Sequence, residues 1–150
     1  MRATDEIIGD ALAAKAALAR ASSELKNRAL AAMADALLDS CGTILEANAA
    51  DIKAARESLG EVMLDRLLLT PRRIEGMAEG IRALIGLPDP VGRVLARIER
   101  PNGLVIEKTA VPMGVIAIIY ESRPNVTADA AALALKAGSS CVLRSGKQAR

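Results

Sequence analysis

The chain has 150 residues, enough by ordinary size scaling for one domain with its own core. Its 51% hydrophobic share is largely alanine, and Tyr120 is the one aromatic residue, so the core must rest on Leu, Ile, Val and Met. A net charge of +2 with both signs interspersed, and no basic stripe interleaved with aromatics, argues against a nucleic-acid binder, while zero histidines exclude histidine-dependent chemistry within these residues and argue against a zinc site.

The N-terminus, MRATDEIIGD, is polar and acidic rather than basic and then apolar. It does not read as a secretory signal, and no run approaches the ~18 apolar residues of a membrane span, so the expectation is a cytoplasmic protein with no membrane partner. Thr4, followed by Asp5 and Glu6, reads as an N-cap, and Ile8, Leu12 and Ala16 recur along one helical face to about Arg20. Ser22 or Ser23 caps a second helix with Leu25, Ala29, Met33 and Leu37 on one side, ended by Gly42. Thr43 and Glu46 read as the capping box of a third helix, closed by Gly60. After a short apolar segment, 62–69, Thr70 and Pro71 open a helix through Ile74, Met77, Ile81 and Leu84 or Ile85. Leu87, Pro88, Asp89 and Pro90 stop it.

From Arg93 the period falls to two. Val94, Ala96 and Ile98 alternate with their neighbours, and beyond the turn Pro101-Asn102-Gly103 so do Leu104, Ile106 and Lys108, which predicts a β-hairpin that must pack on something. Residues 115–119 form a β-branched apolar run that reads as a strand buried on both faces. Residues 125–137 read as a helix stopped by Gly138, and 141–143 as a second strand. Strand, crossover helix and strand make a βαβ unit, which puts two loops, 120–125 and 144–147, on the carboxyl rim where open parallel sheets bind ligands. Cys141, within the second strand, and Cys41, beside Gly42, read as inert buried thiols.

The stretch VPMGVIAIIYESRPNVTADAAALALKAGSSCVLRSGK closely resembles the gamma-glutamyl phosphate reductase (glutamate-5-semialdehyde dehydrogenase) family of the aldehyde dehydrogenase superfamily. YESRPNVT followed by a strand ending in LR-x-G-K carries the likeness, which extends upstream through LTPRRIEGMAEGIRALIGLPDPVG and EANAADI. The resemblance implies an α/β chain: N-terminal helices, a hairpin, then the first βαβ of a Rossmann-like nucleotide-binding domain. Residues 1–150 would be the N-terminal part of the cofactor-binding domain, with 93–109 joining an oligomerisation sheet and the catalytic domain absent.

The family reduces L-glutamyl 5-phosphate to L-glutamate 5-semialdehyde with NADPH, in proline biosynthesis, through a cysteine thiolate. The resemblance places that nucleophile beyond position 150, in a segment like QRPSTCN, so the isolated chain is expected to be inactive. It further implies a homo-oligomer and contact with glutamate 5-kinase. In NAD-using relatives the loop after the second strand ends in a glutamate on the adenosine ribose; here Lys147 stands there, and with Arg144 and the Ser145-Gly146 turn it suits the 2′-phosphate of NADP. Without the resemblance, Arg144 and Lys147 read as solvated charges. Ser145 and Gln148 depart from the family's LRGGKE or LRGGSE. In the other loop, Ser122 or Asn125 is the candidate oxyanion donor, against a reading of Asn125 as a helix N-cap. Arg123 is a candidate for the substrate phosphate or an ordinary ion pair, and Tyr120 and Glu121 for the nicotinamide side. The competing readings are a non-catalytic oligomerisation or binding fragment, and an aldehyde dehydrogenase with another substrate.

Overall fold

The structure, a computed structural model, describes residues 3–121 and 123–147. Among these residues, six helices and four strands follow in the order α1 (Thr4–Ala19), α2 (Ser23–Asp39), α3 (Cys41–Ala55), α4 (Glu61–Leu67), α5 (Pro71–Ile85), β1 (Val94–Glu99), β2 (Val105–Thr109), β3 (Val115–Ile119), α6 (Pro124–Lys136) and β4 (Ser140–Arg144). This is the α/β arrangement expected, and β3 and β4 pair in parallel across α6 in a βαβ unit.

Helices α2, α5 and α6 form the core around Leu30, Ala34, Ala78, Ile81, Ala128 and Ala132. Alanines at the contacts let the helices approach closely, and Leu and Ile supply most of the buried area. The α5 stripe is the one the spacing predicts: Ile74 and Ile81 are buried, with Met77, Leu84 and Ile85 packed beside them. Thr70 caps α5 by accepting from the Arg73 amide at 3.2 Å, and Pro71 occupies the first turn, where its missing N–H is no loss.

Two other stripes are displaced by one residue. In α2 the buried positions are Lys26, Leu30 and Ala34, while Leu25 is 47% exposed. In α1 it is Ala11 that is buried, and Ile8 and Leu12 face outward. One residue is about 100° around a helix. Lys26, which the sequence reading did not single out, sits at the centre of the inward face.

Several boundaries also move. Ala3, rather than Thr4, is the N-cap of α1, and its amide donates to the Glu6 carboxylate at 3.3 Å. Ser40 alone separates α2 from α3, so Gly42 lies inside α3 and Thr43 and Glu46 do not cap it. Gly42 has open space beside it and an ordinary negative φ, so nothing there requires a break. Helix α3 ends at Ala55, and Gly60 is the N-cap of α4, which converts the 62–69 segment into a short helix. Strand β4 is one residue longer at each end than the apolar run suggested.

The β1–β2 hairpin forms around the expected turn, with Gly103 at φ 83° and a bulge between Val94 and Ala96. Ile98 pairs with Ile106 on its apolar face, and both remain exposed, at 49% and 41%. Strand β3 is not buried on both faces: Ala117 is exposed and Ile119 is 81% exposed, because one strand and one helix layer cannot cover both sides of a two-stranded sheet.

A buried polar cluster ties α2 to the foot of α6. The Lys26 ammonium, 1% exposed, lies 2.5 Å from Asp89 Oδ2 and donates to the Lys136 carbonyl at 3.3 Å. Asp89 also accepts from Ser23 Oγ at 2.6 Å and from the Val91 amide at 2.9 Å. Lys136, itself buried, donates to Asn27 Oδ1 at 2.8 Å and to the Ile85 carbonyl at 3.4 Å. Beyond it, α6 closes in a Schellman turn: the Ser139 amide donates to the Ala134 carbonyl at 2.9 Å and the Gly138 amide to the Leu135 carbonyl at 3.0 Å.

Two predictions follow from this packing. Burial raises the Asp89 pKa, but its bonds to Lys26, Ser23 and the Val91 amide outweigh that and lower it from 3.8 to about 2. A folded-state pKa below the unfolded one stabilises above the unfolded value, and that stability is lost as pH falls. Subtracting the urea stability of Asp89→Asn from that of the wild type should therefore give a difference that shrinks by about 2 kcal/mol between pH 4 and pH 2. A pH-independent difference would contradict the cluster. Gly138 has φ 66°, and a Cβ there would stand 3.1 Å from Pro112 Cγ and 3.2 Å from Val91 Cγ2. Gly138→Ala should cost about 1–2 kcal/mol from the left-handed backbone alone, a fall in Tm of roughly 3–8 °C by thermal melting; an unchanged Tm would count against the turn.

Candidate functional site

The βαβ unit brings its two loops side by side. Ile119 is in register with Arg144 at the carboxyl end, and there the Tyr120 amide donates to the Arg144 carbonyl at 3.1 Å. At the opposite end Gly114, at φ 104°, accepts from the Ser140 amide at 2.9 Å and donates to Ser139 Oγ at 3.3 Å. Both ends of the strand pair are thus pinned by hydrogen bonds beyond the ladder. Helix α6 begins on the same rim at Pro124, one residue earlier than expected, with Arg123 as its N-cap and no side-chain cap. Asn125 is the second residue of the helix and does not cap it. The positive end of the α6 dipole therefore opens onto the rim.

Two clefts lie around this helix terminus, and Leu69, Met77 and Pro124 line both. The first, of about 510 Å³, has Tyr120, Thr127 and Ser145 from the βαβ unit, with Asn48 and Asp51 of α3 among the residues of the opposite wall. The Tyr120 hydroxyl is held to Thr127 Oγ1 at 2.5 Å, which fixes the ring against α6. Asn48 is buried and spends both ends of its amide on the α4–α5 connection: Nδ2 donates to the Leu67 carbonyl at 2.8 Å, and Oδ1 accepts from the Leu69 amide at 2.7 Å. That clamp sets the width of the cleft by fixing Leu69 against α3. Removing the amide would leave two buried backbone groups without partners.

The second cleft, of about 480 Å³, is rimmed by Asp65, Arg66 and Arg73 on one side and Arg123, Asn125 and Asp129 on the other. Arg73 ties α5 to α4: Nη1 donates to the carbonyls of Asp65 and Leu68 at 2.5 and 2.6 Å, and Nη2 meets Asp65 Oδ1 at 3.0 Å. The Asn125 amide leans toward Asp129 Oδ2 at 3.5 Å, one helical turn along.

The residues expected from the sequence thus divide between the clefts. Tyr120 and Ser145 line the first, and Arg123 and Asn125 line the second. Glu121, Arg144 and Lys147 are exposed at the rim, and Gly146 is partly buried there. Ser122 lies outside the described residues. Cys41 and Cys141 are partly rather than fully buried, and burial raises the Cys141 thiol pKa, which keeps it protonated and poorly nucleophilic. Cys141 pairs with Ile116 within the sheet, away from the carboxyl rim. Sequence reasoning did not single out Asn48, Arg66 or Asp129 as site residues. For Asn48 a signal existed, since a lone amide between alanines in a helix interior is an unfavourable choice unless it is bonded.

Among the described residues no helix is long and apolar enough to cross a membrane. No family model matches the chain. It is 54% identical over 149 residues to gamma-glutamyl phosphate reductase of Streptococcus suis, covering 99% of this chain and 36% of that protein. To the enzyme of the same name from Streptococcus pneumoniae it is 58% identical over 137 residues, 91% of this chain and 33% of the other. The crystal structure of gamma-glutamyl phosphate reductase from Thermotoga maritima superposes with a TM-score of 0.93 at 42% identity, over 96% of this chain and 35% of that one. Its counterpart from Saccharomyces cerevisiae gives 0.91 at 35% identity, over 99% and 38%. A probable aldehyde dehydrogenase from Listeria monocytogenes, 17% identical with a TM-score of 0.67 over 96% of this chain and 29% of that one, shares the fold. The chain therefore spans about a third of the length of the curated relatives it matches. Over nearly all of its residues, in sequence and in fold, it is a homologue of that third of gamma-glutamyl phosphate reductase.

Proposed function

We propose that the chain provides the cofactor rim and part of the substrate cleft of an NADP(H)-dependent reductase that converts L-glutamyl 5-phosphate to L-glutamate 5-semialdehyde and phosphate. The observation that carries this reading is the 54–58% identity to proteins of that name over nearly the whole chain. Its βαβ unit is read as the first of a Rossmann-like nucleotide-binding domain. NADPH, when bound, supplies the hydride. Arg144 and Lys147 hold the 2′-phosphate of the adenosine ribose, a dianion that two cations on a short Ser145-Gly146 turn suit better than a carboxylate would. The fit is supported by their exposure on the rim, immediately beside the Ser145 wall of the first cleft. Tyr120 and Glu121 lie toward the nicotinamide side, and the hydroxyl bond of Tyr120 to Thr127 leaves its ring as a fixed apolar wall.

On the other side of Pro124, Arg123 meets the substrate phosphate. Ser122 or Asn125 donates to the oxygen of the carbonyl under attack, where a hydrogen bond that strengthens as negative charge develops lowers the barrier. The attacking thiolate comes from sequence other than these 150 residues, a reading supported by neither Cys41 nor Cys141 lining either cleft. The β1–β2 hairpin pairs with another subunit, a role favoured by the exposed apolar face of Ile98, Leu104 and Ile106.

Calorimetric titration of the chain with NADP and with NAD tests the cofactor assignment. NADP should bind roughly 10-fold or more tightly than NAD, the size expected for charge-assisted bonds to a phosphate. The double substitution Arg144→Gln, Lys147→Gln should abolish that difference while leaving NAD affinity unchanged. Equal affinities in the wild type would contradict the assignment.

A further inference from the structure

The second cleft carries five charged side chains, and two of them neutralise each other: Arg73 makes two hydrogen bonds to Asp65, one to its carbonyl and one to its carboxylate, and a third to the Leu68 carbonyl. Two cations, Arg66 and Arg123, and one carboxylate, Asp129, remain. Arg66 stands in the last turn of α4, next in sequence to the locked Asp65, and its bond among the described residues is a weak one to Met63 Sδ at 3.8 Å. Among the described residues, Asp129 is met by the long 3.5 Å approach of Asn125. Arg123, at the head of α6, stands on the rim loop itself.

A γ-glutamyl phosphate carries the complementary set. One end is an acyl phosphate, and the other, a carbon chain away, bears an α-carboxylate and an α-ammonium. Arg66 and Asp129 come from opposite walls of a cleft whose volume, about 480 Å³, suits a small ligand. We propose that this cleft reads the amino-acid end of the substrate, with the Arg66 guanidinium holding the α-carboxylate and the Asp129 carboxylate holding the α-ammonium. The assignment rests on the reductase reading and deepens it: the cleft selects an α-amino acid zwitterion with an acidic side chain over a plain dicarboxylate. The Arg73–Asp65 bonds serve as the buttress, because they fix the α4 backbone from which Arg66 extends. A planar guanidinium suits a carboxylate through two parallel bonds, which is why a lysine at this position would not be equivalent.

The test is a titration of the chain by NMR with L-glutamate, with glutarate, which lacks the ammonium, and with 4-aminobutyrate, which lacks the α-carboxylate; NADP is titrated into parallel samples. L-glutamate should bind at least about 10-fold more tightly than either analogue, with shifts confined to α4 and the first turns of α6. Asp129→Asn should level L-glutamate with glutarate, and Arg66→Leu should level it with 4-aminobutyrate, both with native spectra and undiminished NADP binding. The assignment is overturned if L-glutamate fails to bind, if it binds no better than the analogues, or if either variant keeps the full preference. Should NADP bind in those samples, the amino-acid assignment alone falls; should NADP also fail, the reductase reading falls with it.

Discussion

The contact between Lys26 and Asp89 is the interaction on which the geometry of the rim depends. Taking an ammonium and a carboxylate out of water costs several kcal/mol per ion, and their attraction repays this only when the remaining hydrogen-bonding capacity is also satisfied. Here it is: Asp89 accepts from Lys26, Ser23 and the Val91 amide, and Lys26 donates onward to the Lys136 carbonyl. Lys136 in turn reaches Asn27 and the end of α5. The C-terminal end of α6 is thus bolted to α2, to α5 and to the turn that launches the hairpin. Apolar contacts among alanines would hold these helices together without fixing their rotation. Directional bonds to buried charges fix it, and with it the direction in which the opposite end of α6 presents Arg123, Pro124 and Asn125.

That opposite end acts as a partition. Pro124 lines both clefts, with Tyr120 and Ser145 on one side and Arg123, Asn125 and Asp129 on the other. On the proposed reading, phosphate leaves the carbonyl carbon when the thiolate attacks and hydride reaches the same carbon in a later step, so substrate and cofactor must approach one point from different directions. A helix terminus with a cleft on each flank provides that separation, and its dipole favours negative charge where the two meet. Asn48 and Arg73 hold the far walls of the two clefts by bonding backbone groups of the α4–α5 connection. Both residues therefore support the site through the fold rather than by touching a reactant.

Much of the fold was legible in the sequence, and the misreadings share physical causes. The βαβ unit, the hairpin and the α5 stripe follow from local signals: β-branched runs, Pro-Asn-Gly at the turn, Thr-Pro at a helix start. The α2 stripe was displaced because apolar spacing alone cannot place a lysine inside, whereas Lys26 has partners at Asp89 and Lys136, far away in sequence, that no local pattern reveals. Gly42 and Gly60 were taken as helix stops, yet both have open space beside them, and composition alone does not distinguish a glycine required by its backbone from one merely tolerated. Residues on the rim were recognisable because they follow strand ends. Arg66 and Asp129 were not, because they reach the second cleft from helices brought there by tertiary packing, and the amide of Asn48 between two alanines signalled a bond but not its place at a cleft.

A structure determined with NADP bound tests the central claim, that α6 separates cofactor from substrate. The account predicts the nucleotide on the Tyr120 and Ser145 side, with its 2′-phosphate within about 3 Å of Arg144 or Lys147 nitrogens, as a charge-assisted bond requires. The cleft of Arg66 and Asp129 should remain open in the same structure. A nucleotide lying in that second cleft, with its phosphates on Arg66 or Arg123, would contradict the account.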